Sequence, residues 1–142
     1  MADVYVFMGS ESDREYMKPC METLERYGVS YEVVVSSAHR DPDGTREKAL
    51  KAAEEGCKVI IAGAGYAAHL PGFIASIVKI PVIGVPIPSS PLLGMDALFS
   101  IIQMPGGIPV LSVGVGKGGP ENAAMAAIRI LALMDEKIKE RI

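Results

Sequence analysis

At 142 residues and 49% hydrophobic, the chain has the size of one domain, 1–142, with a core of its own. A formal charge of −3 argues against a dedicated nucleic-acid binder, which would present a basic face. Two cysteines without CxxC spacing (Cys20 and Cys57), and an N-terminus lacking a basic or signal-type apolar run, point to reduced, buried thiols in a cytoplasmic protein.

In chain order, Val4–Met8 is an apolar run ending at Gly9 and reads as the first strand. Ser12 opens a capping-box pattern with Glu15 three residues on. Tyr16, Cys20, Leu24 and Tyr27 follow at helical spacing, and Gly28 suits the stop. Pro19 conflicts with this helix, because an interior proline costs roughly 3 kcal/mol and kinks the axis, so the regular part is expected to begin later. Tyr31–Val35 predicts a second strand, and residues 42–55 a polar amphipathic helix closed by Gly56. Lys58–Ala62 predicts a third strand covered on both faces. A short apolar helix from His69 or Leu70 to Val78 comes next, then a strand over Pro81–Val85. A helix over Met95–Gln103, a strand over Val110–Val115 and a last helix from Pro120 to about Lys139 complete the series.

Five β–α units without repeats or linkers imply a parallel sheet with helices on both faces. The expected fold is α/β: a three-layer αβα sandwich, flavodoxin-like, with strand order 2-1-3-4-5. Residues 59–78 carry no formal charge and mimic a membrane span, but glycines, Pro71 and His69 interrupt them, so a buried strand–loop–helix unit is expected and no membrane contact. Between Lys58 and Lys117 only Lys79 and Asp96 are formally charged. Exposed helices of a lone domain should carry charge, so the outer faces of these are expected to be buried against other subunits.

The strand-exit loops fall on one sheet edge, where open α/β sheets bind ligands. Gly9-Ser10-Glu11-Ser12-Asp13 opens a helix whose N-terminus suits phosphate, with Ser10 and Ser12 as hydroxyl donors and Asp13 as an acceptor for sugar hydroxyls; simple capping is the alternative. The only two histidines, His39 and His69, each follow a predicted strand, and histidine is suited to proton transfer near neutral pH. Arg40 is a candidate phosphate clamp, or else an ion-pair partner of Asp41 or Asp43. His69 is either a site residue or a satisfied core histidine. Gly63-Ala-Gly65-Tyr-Ala-Ala68 matches a dinucleotide fingerprint but follows the third strand and lacks the acidic partner; its glycines are expected instead to let a ligand approach the backbone. Gly116-Lys117 lacks Walker spacing and reads as a lead into the last helix. No metal-ligand set is recognisable.

At these residues the chain resembles the N5-carboxyaminoimidazole ribonucleotide mutases of purine biosynthesis, the PurE family. The matching segments are Met8-Gly-Ser-Glu-Ser-Asp13, Ser37-Ala-His-Arg40, Ala62-Gly-Ala-Gly65, Ala67-Ala-His-Leu-Pro-Gly72, Gly84-Val-Pro86 and Ser100-Ile-Ile-Gln-Met-Pro105, with Ile108–Val110 and Asn122–Ala124 continuing the match. The resemblance implies a homo-octamer, no cofactor and a ribonucleotide site between subunits. It implies His39 as the acid–base residue, His69 beside the migrating carboxylate, and Arg40 on the phosphate. Ser10, Ser12, Asp13, Ser37, Gly65 and Ala67 complete the expected binding set. Tyr66 departs from the family's usual glycine, Gly106 from its usual basic residue, and the chain ends at Ile142, short of many bacterial members. Two alternatives to the mutase stand: a direct carboxylase using CO2, which typically carries Ala-His-Lys in the second loop, and a non-enzymatic nucleotide-binding module.

Overall fold

Alternation along the first strand sets the layers. The computed structural model describes residues 1–142. In β1 (Val4–Met8), Val4, Val6 and Met8 enter one core while Tyr5 and Phe7 enter the other. Five parallel strands follow the order β2-β1-β3-β4-β5, with β2 Tyr31–Val35, β3 Val59–Gly65, β4 Val82–Ile87 and β5 Leu111–Ser112. Helices α1 (Arg14–Arg26), α5 (Gly119–Ala132) and α6 (Glu136–Lys139) contribute Met17, Leu24, Ile128, Leu131 and Ile138 to the first core. Helices α2 (Pro42–Glu54), α3 (Leu70–Ala75) and α4 (Met95–Ile102) contribute Ala49, Ile74, Ala97 and Ile101 to the second. The sandwich and the strand order are those expected from the sequence.

Several boundaries differ, each for a local reason. β3 runs on to Gly65 and β4 to Ile87, because Gly63, Ala64 and Gly65 stay in register with Val85, Pro86 and Ile87. Pro86 is tolerated because pairing with β5 has already stopped at Gly84, leaving β4 an edge at that level. β5 has two residues instead of six, and both are exposed. The last helix breaks after Ala132. Asp135 turns extended, and its carboxylate accepts from the Lys137 and Ile138 amides, starting α6 and burying Ile138.

The start of α1 also corrects the capping-box expectation. Ser10, not Ser12, is the cap: its Oγ accepts from the Ser12 amide ahead of a 3-10 turn over Glu11–Asp13. Pro19 sits inside a continuous α1 and does not delay it; Glu15, whose carbonyl it leaves without a donor, is exposed to water. Cys20 and Cys57 are free and buried, and burial pushes their thiols up to about 12 and about 11. No helix is long and apolar enough to cross a membrane.

Candidate active site

The C-terminal ends of β1, β2, β3 and β4 surround a cleft of about 490 Å³, within the usual range for small-molecule sites. Its walls bring together Ser10, Ser12, Asp13, Ser37, His39, Arg40, Gly65, Ala67 and His69, the complete set expected from the sequence. The Gly116–Gly119 loop does not line it. Tyr16 holds that loop beside α1, its hydroxyl donating to the Gly116 carbonyl (2.6 Å) and accepting from the Gly116 amide (3.1 Å).

The second loop is built to hold His39 and Arg40 out over the cleft. Ser36 is buried and its hydroxyl bonds Thr45 Oγ1 of α2 at 2.6 Å, tying the strand exit to the helix. Ser37 Oγ accepts from the Arg40 amide (3.2 Å) and the Ser37 carbonyl from the Asp41 amide (2.9 Å). Asp41 then caps α2 by accepting from the Gly44 amide. His39 and Arg40, at the crest, are both exposed. The Arg40 side chain forms no ion pair with Asp41, Asp43 or any other carboxylate, so its guanidinium is free to meet an anion.

His69 is not a core histidine. It stands exposed at the start of α3, and its Nδ1 lies 2.6 Å from His39 Nε2, with the rings edge to face at 88°. Two nitrogens at that distance share one proton, with one ring donating and the other accepting. A cationic donor would shorten and strengthen such a contact. The pair joins loops thirty residues apart, and neither motif alone predicts the contact.

Asp13 is the one buried carboxylate of the cleft wall, 8% exposed. Burial pushes its carboxyl above the usual range, and the Ser10 amide, bonded to it, offsets part of that rise. An ionised carboxylate there calls for hydrogen-bond donors beyond those of the chain itself, which suits a ligand rich in hydroxyls.

The glycines of the third loop divide their work. Gly63 is buried, and a β-carbon there would fall 2.6 Å from Met17 Sδ, so it serves packing of α1 on the sheet and not ligand approach. Gly65 does border the cleft, but the space of its missing β-carbon is filled by Ser89 Oγ at 2.0 Å. Ser89 is thus a cleft residue the sequence reasoning did not single out. Its position after the fourth strand was the only signal. Both glycines lie inside β3, not in a turn before a helix, which removes the dinucleotide fingerprint. No cluster of three or more His, Cys, Asp or Glu side chains is arranged to hold a metal ion.

The AIR carboxylase family model matches residues 3–142. An N5-carboxyaminoimidazole ribonucleotide mutase of Saccharolobus solfataricus is 51% identical over 142 residues, which cover 100% of this chain and 89% of that protein. A protein of the same name from Bacillus subtilis is 51% identical over 139 residues, 98% of this chain and 86% of its own. The crystal structure of Treponema denticola PurE matches with a TM-score of 0.86 at 31% identity, covering 97% of this chain and 85% of that one.

Proposed function

Since this chain belongs to the AIR carboxylase family, we propose that it is an N5-carboxyaminoimidazole ribonucleotide mutase, an isomerase of purine biosynthesis. The observation that carries the chemical reading is the His39–His69 contact at the mouth of a cleft that also holds an unpaired arginine, serine hydroxyls and a buried carboxylate. Phosphate goes to Arg40, Ser10, Ser12 and the entrance of α1, and the ribose hydroxyls donate to Asp13. Ser37, Gly65 and Ala67 line the space left for the base and its carboxylate.

The reaction needs no outside reagent. The bond between the exocyclic nitrogen and the carboxylate carbon breaks, its electrons stay on nitrogen, and protonated His39 supplies the proton that makes the amine a neutral leaving group. CO2 is held beside C4. The electron-rich C4 attacks it, and His39 takes the C4 proton, which restores the aromatic ring and returns His39 to its starting state. His69 accepts from His39 or donates to it as that proton comes and goes. General acid–base help of this kind is worth about 10²–10⁴ in rate. Holding CO2 against C4 contributes part of the roughly 7–11 kcal/mol that ideal positioning gives.

The family description also covers direct carboxylation of aminoimidazole ribonucleotide. Ala38-His39-Arg40 and His69-Leu70-Pro71-Gly72 favour the mutase, as do the relatives' names. A turnover assay decides. Conversion of the N5-carboxylated ribonucleotide to its C4 isomer without ATP, metal or bicarbonate, with little label entering from dissolved bicarbonate, supports the mutase. Efficient use of aminoimidazole ribonucleotide plus CO2, with the carbamate ignored, overturns it. Binding without turnover of either substrate would leave a nucleotide-binding module.

The working unit we propose is a cytoplasmic homo-octamer of about 120 kDa, eight symmetric copies of the 15.0 kDa chain. Supporting it, Leu92, Leu93, Met95, Phe99 and Ile102 are exposed side by side on and before α4. Asp96 Oδ1, in the same stretch, is buried without a partner in the single chain. An apolar face with an unmet acceptor fits a subunit contact.

A further inference from the structure

We propose that Tyr66 is a substrate-binding residue, its ring laid over the planar imidazole of the ribonucleotide at the mouth of the cleft; this rests on the function proposed above. Tyr66 adopts φ +55°, the left-handed region that a bulky side chain avoids and glycine enters freely. Nothing within the chain compensates. The side chain is 58% exposed, belongs to neither core, and its hydroxyl makes no hydrogen bond. It sits between Gly65 and Ala67 on the cleft wall, where it is the only aromatic side chain besides the two histidines. Strain kept at a site without internal return points to a role with ligand. The cleft supplies polar partners for phosphate and sugar, but its other walls offer no flat apolar surface for a base. A tyrosine ring supplies one at low conformational cost, and stacking of a base on an aromatic ring is a sizeable, sequence-tolerant contribution to binding.

The test is steady-state kinetics of Tyr66→Gly and Tyr66→Phe, run in the reverse direction with the C4-carboxylated ribonucleotide, beside melting and light-scattering measurements. In Tyr66→Gly, KM should rise about tenfold, the scale of one lost base–aromatic stack, while kcat falls far less. The melting temperature should hold or rise, since glycine relieves the backbone, and the oligomer mass should not change. Tyr66→Phe should restore the original KM, because the ring and not the hydroxyl does the binding. A KM in Tyr66→Gly within twofold of the parent, failure of Phe to restore it, or loss of affinity that tracks dissociation of the oligomer each overturn the inference. A parent chain that interconverts neither carboxylated ribonucleotide fails the functional assignment itself, a result distinct from an active parent with an indifferent Tyr66→Gly.

Discussion

Helices α1 and α2, beside β1 and β2, turn Arg14, Glu15, Lys18, Glu22, Arg46, Glu47 and Lys51 to water and bury their apolar residues inside the chain. Helix α4, beside β4 and β5, buries Ala97 and Ile101 but turns an apolar face to water as well. Its only formal charge is Asp96, and Met95, Phe99 and Ile102 are 49%, 52% and 43% exposed, with Leu93 at 76% just before it. The adjoining strand β5 is two residues long with Leu111 half exposed. One end of the sheet is finished as a surface, while the other resembles half of an interface core. The residues with chemistry to do stand mainly on loops of the finished side, at the exits of β1, β2 and β3. The difference teaches a division of labour. The first half carries reactive groups on elements that the chain stabilises alone, and the second half presents the apolar face that the proposed assembly would use as its contact.

The largest expected effect of breaking this division lies on the reactive side. His39→Asn keeps a polar side chain but cannot take or return a proton, so kcat should fall by about 10²–10⁴. Ribonucleotide affinity should stay within about tenfold, because the lost interaction acts in the chemical step. Near-normal turnover in this variant would remove His39 from the mechanism. Arg40→Ala comes next. Its guanidinium has no partner to lose within the chain, so the whole effect should appear in binding, about 1.5–3 kcal/mol for one charge-assisted contact. An unchanged dissociation constant contradicts the phosphate role. In the second half, Phe99→Glu places a charge in the apolar face of α4. Light scattering should then find the 15.0 kDa subunit in place of the assembly; an unchanged mass would mean that this face is not an interface.

The same division explains what the sequence made legible. Strands β1, β3 and β4 could be located because each is a short apolar run closed by glycine or proline, β2 because Val33–Val35 ends at a polar Ser-Ser, and the order β2-β1-β3-β4-β5 is one of the two common doubly wound orders. The uncharged middle of the sequence is the same stretch that leaves the apolar face of α4 uncovered. All nine expected cleft residues reached the cleft because strand exits on one edge converge whatever the loop details. Contacts across loops were illegible. His39 and His69 are thirty residues apart, and their 2.6 Å approach depends on how two turns close. Ser89 entered the wall through the space that Gly65 leaves. The cap moved from Ser12 to Ser10 because a 3-10 turn precedes α1, a distinction of one turn that periodicity cannot make.

Asp13 gives the smallest and sharpest test, because it sets folding against binding within one side chain. Its folded carboxyl titrates above the ordinary range, chiefly through burial. The fold therefore disfavours the ionised form. Below the ordinary carboxylate range the group is protonated whether the chain is folded or not, and it costs nothing. As pH rises through that range toward the raised folded value, the unfolded chain ionises first and stability is lost; above the folded value the loss is complete and constant. Asp13→Asn removes this penalty. At neutral pH the melting temperature of the ligand-free chain should rise by about 1–3 °C, a fraction of the shift expected per kcal/mol at this size, and the gain should vanish in acid. Ribonucleotide binding should weaken in the same variant, because a neutral amide is a poorer acceptor for ribose hydroxyls than a carboxylate. A gain that persists unchanged at acid pH would assign the effect to packing, and unchanged affinity would take Asp13 out of the ribose site. With both outcomes as expected, the charge is retained for the ligand at the expense of the empty fold, on the half of the molecule that is otherwise finished.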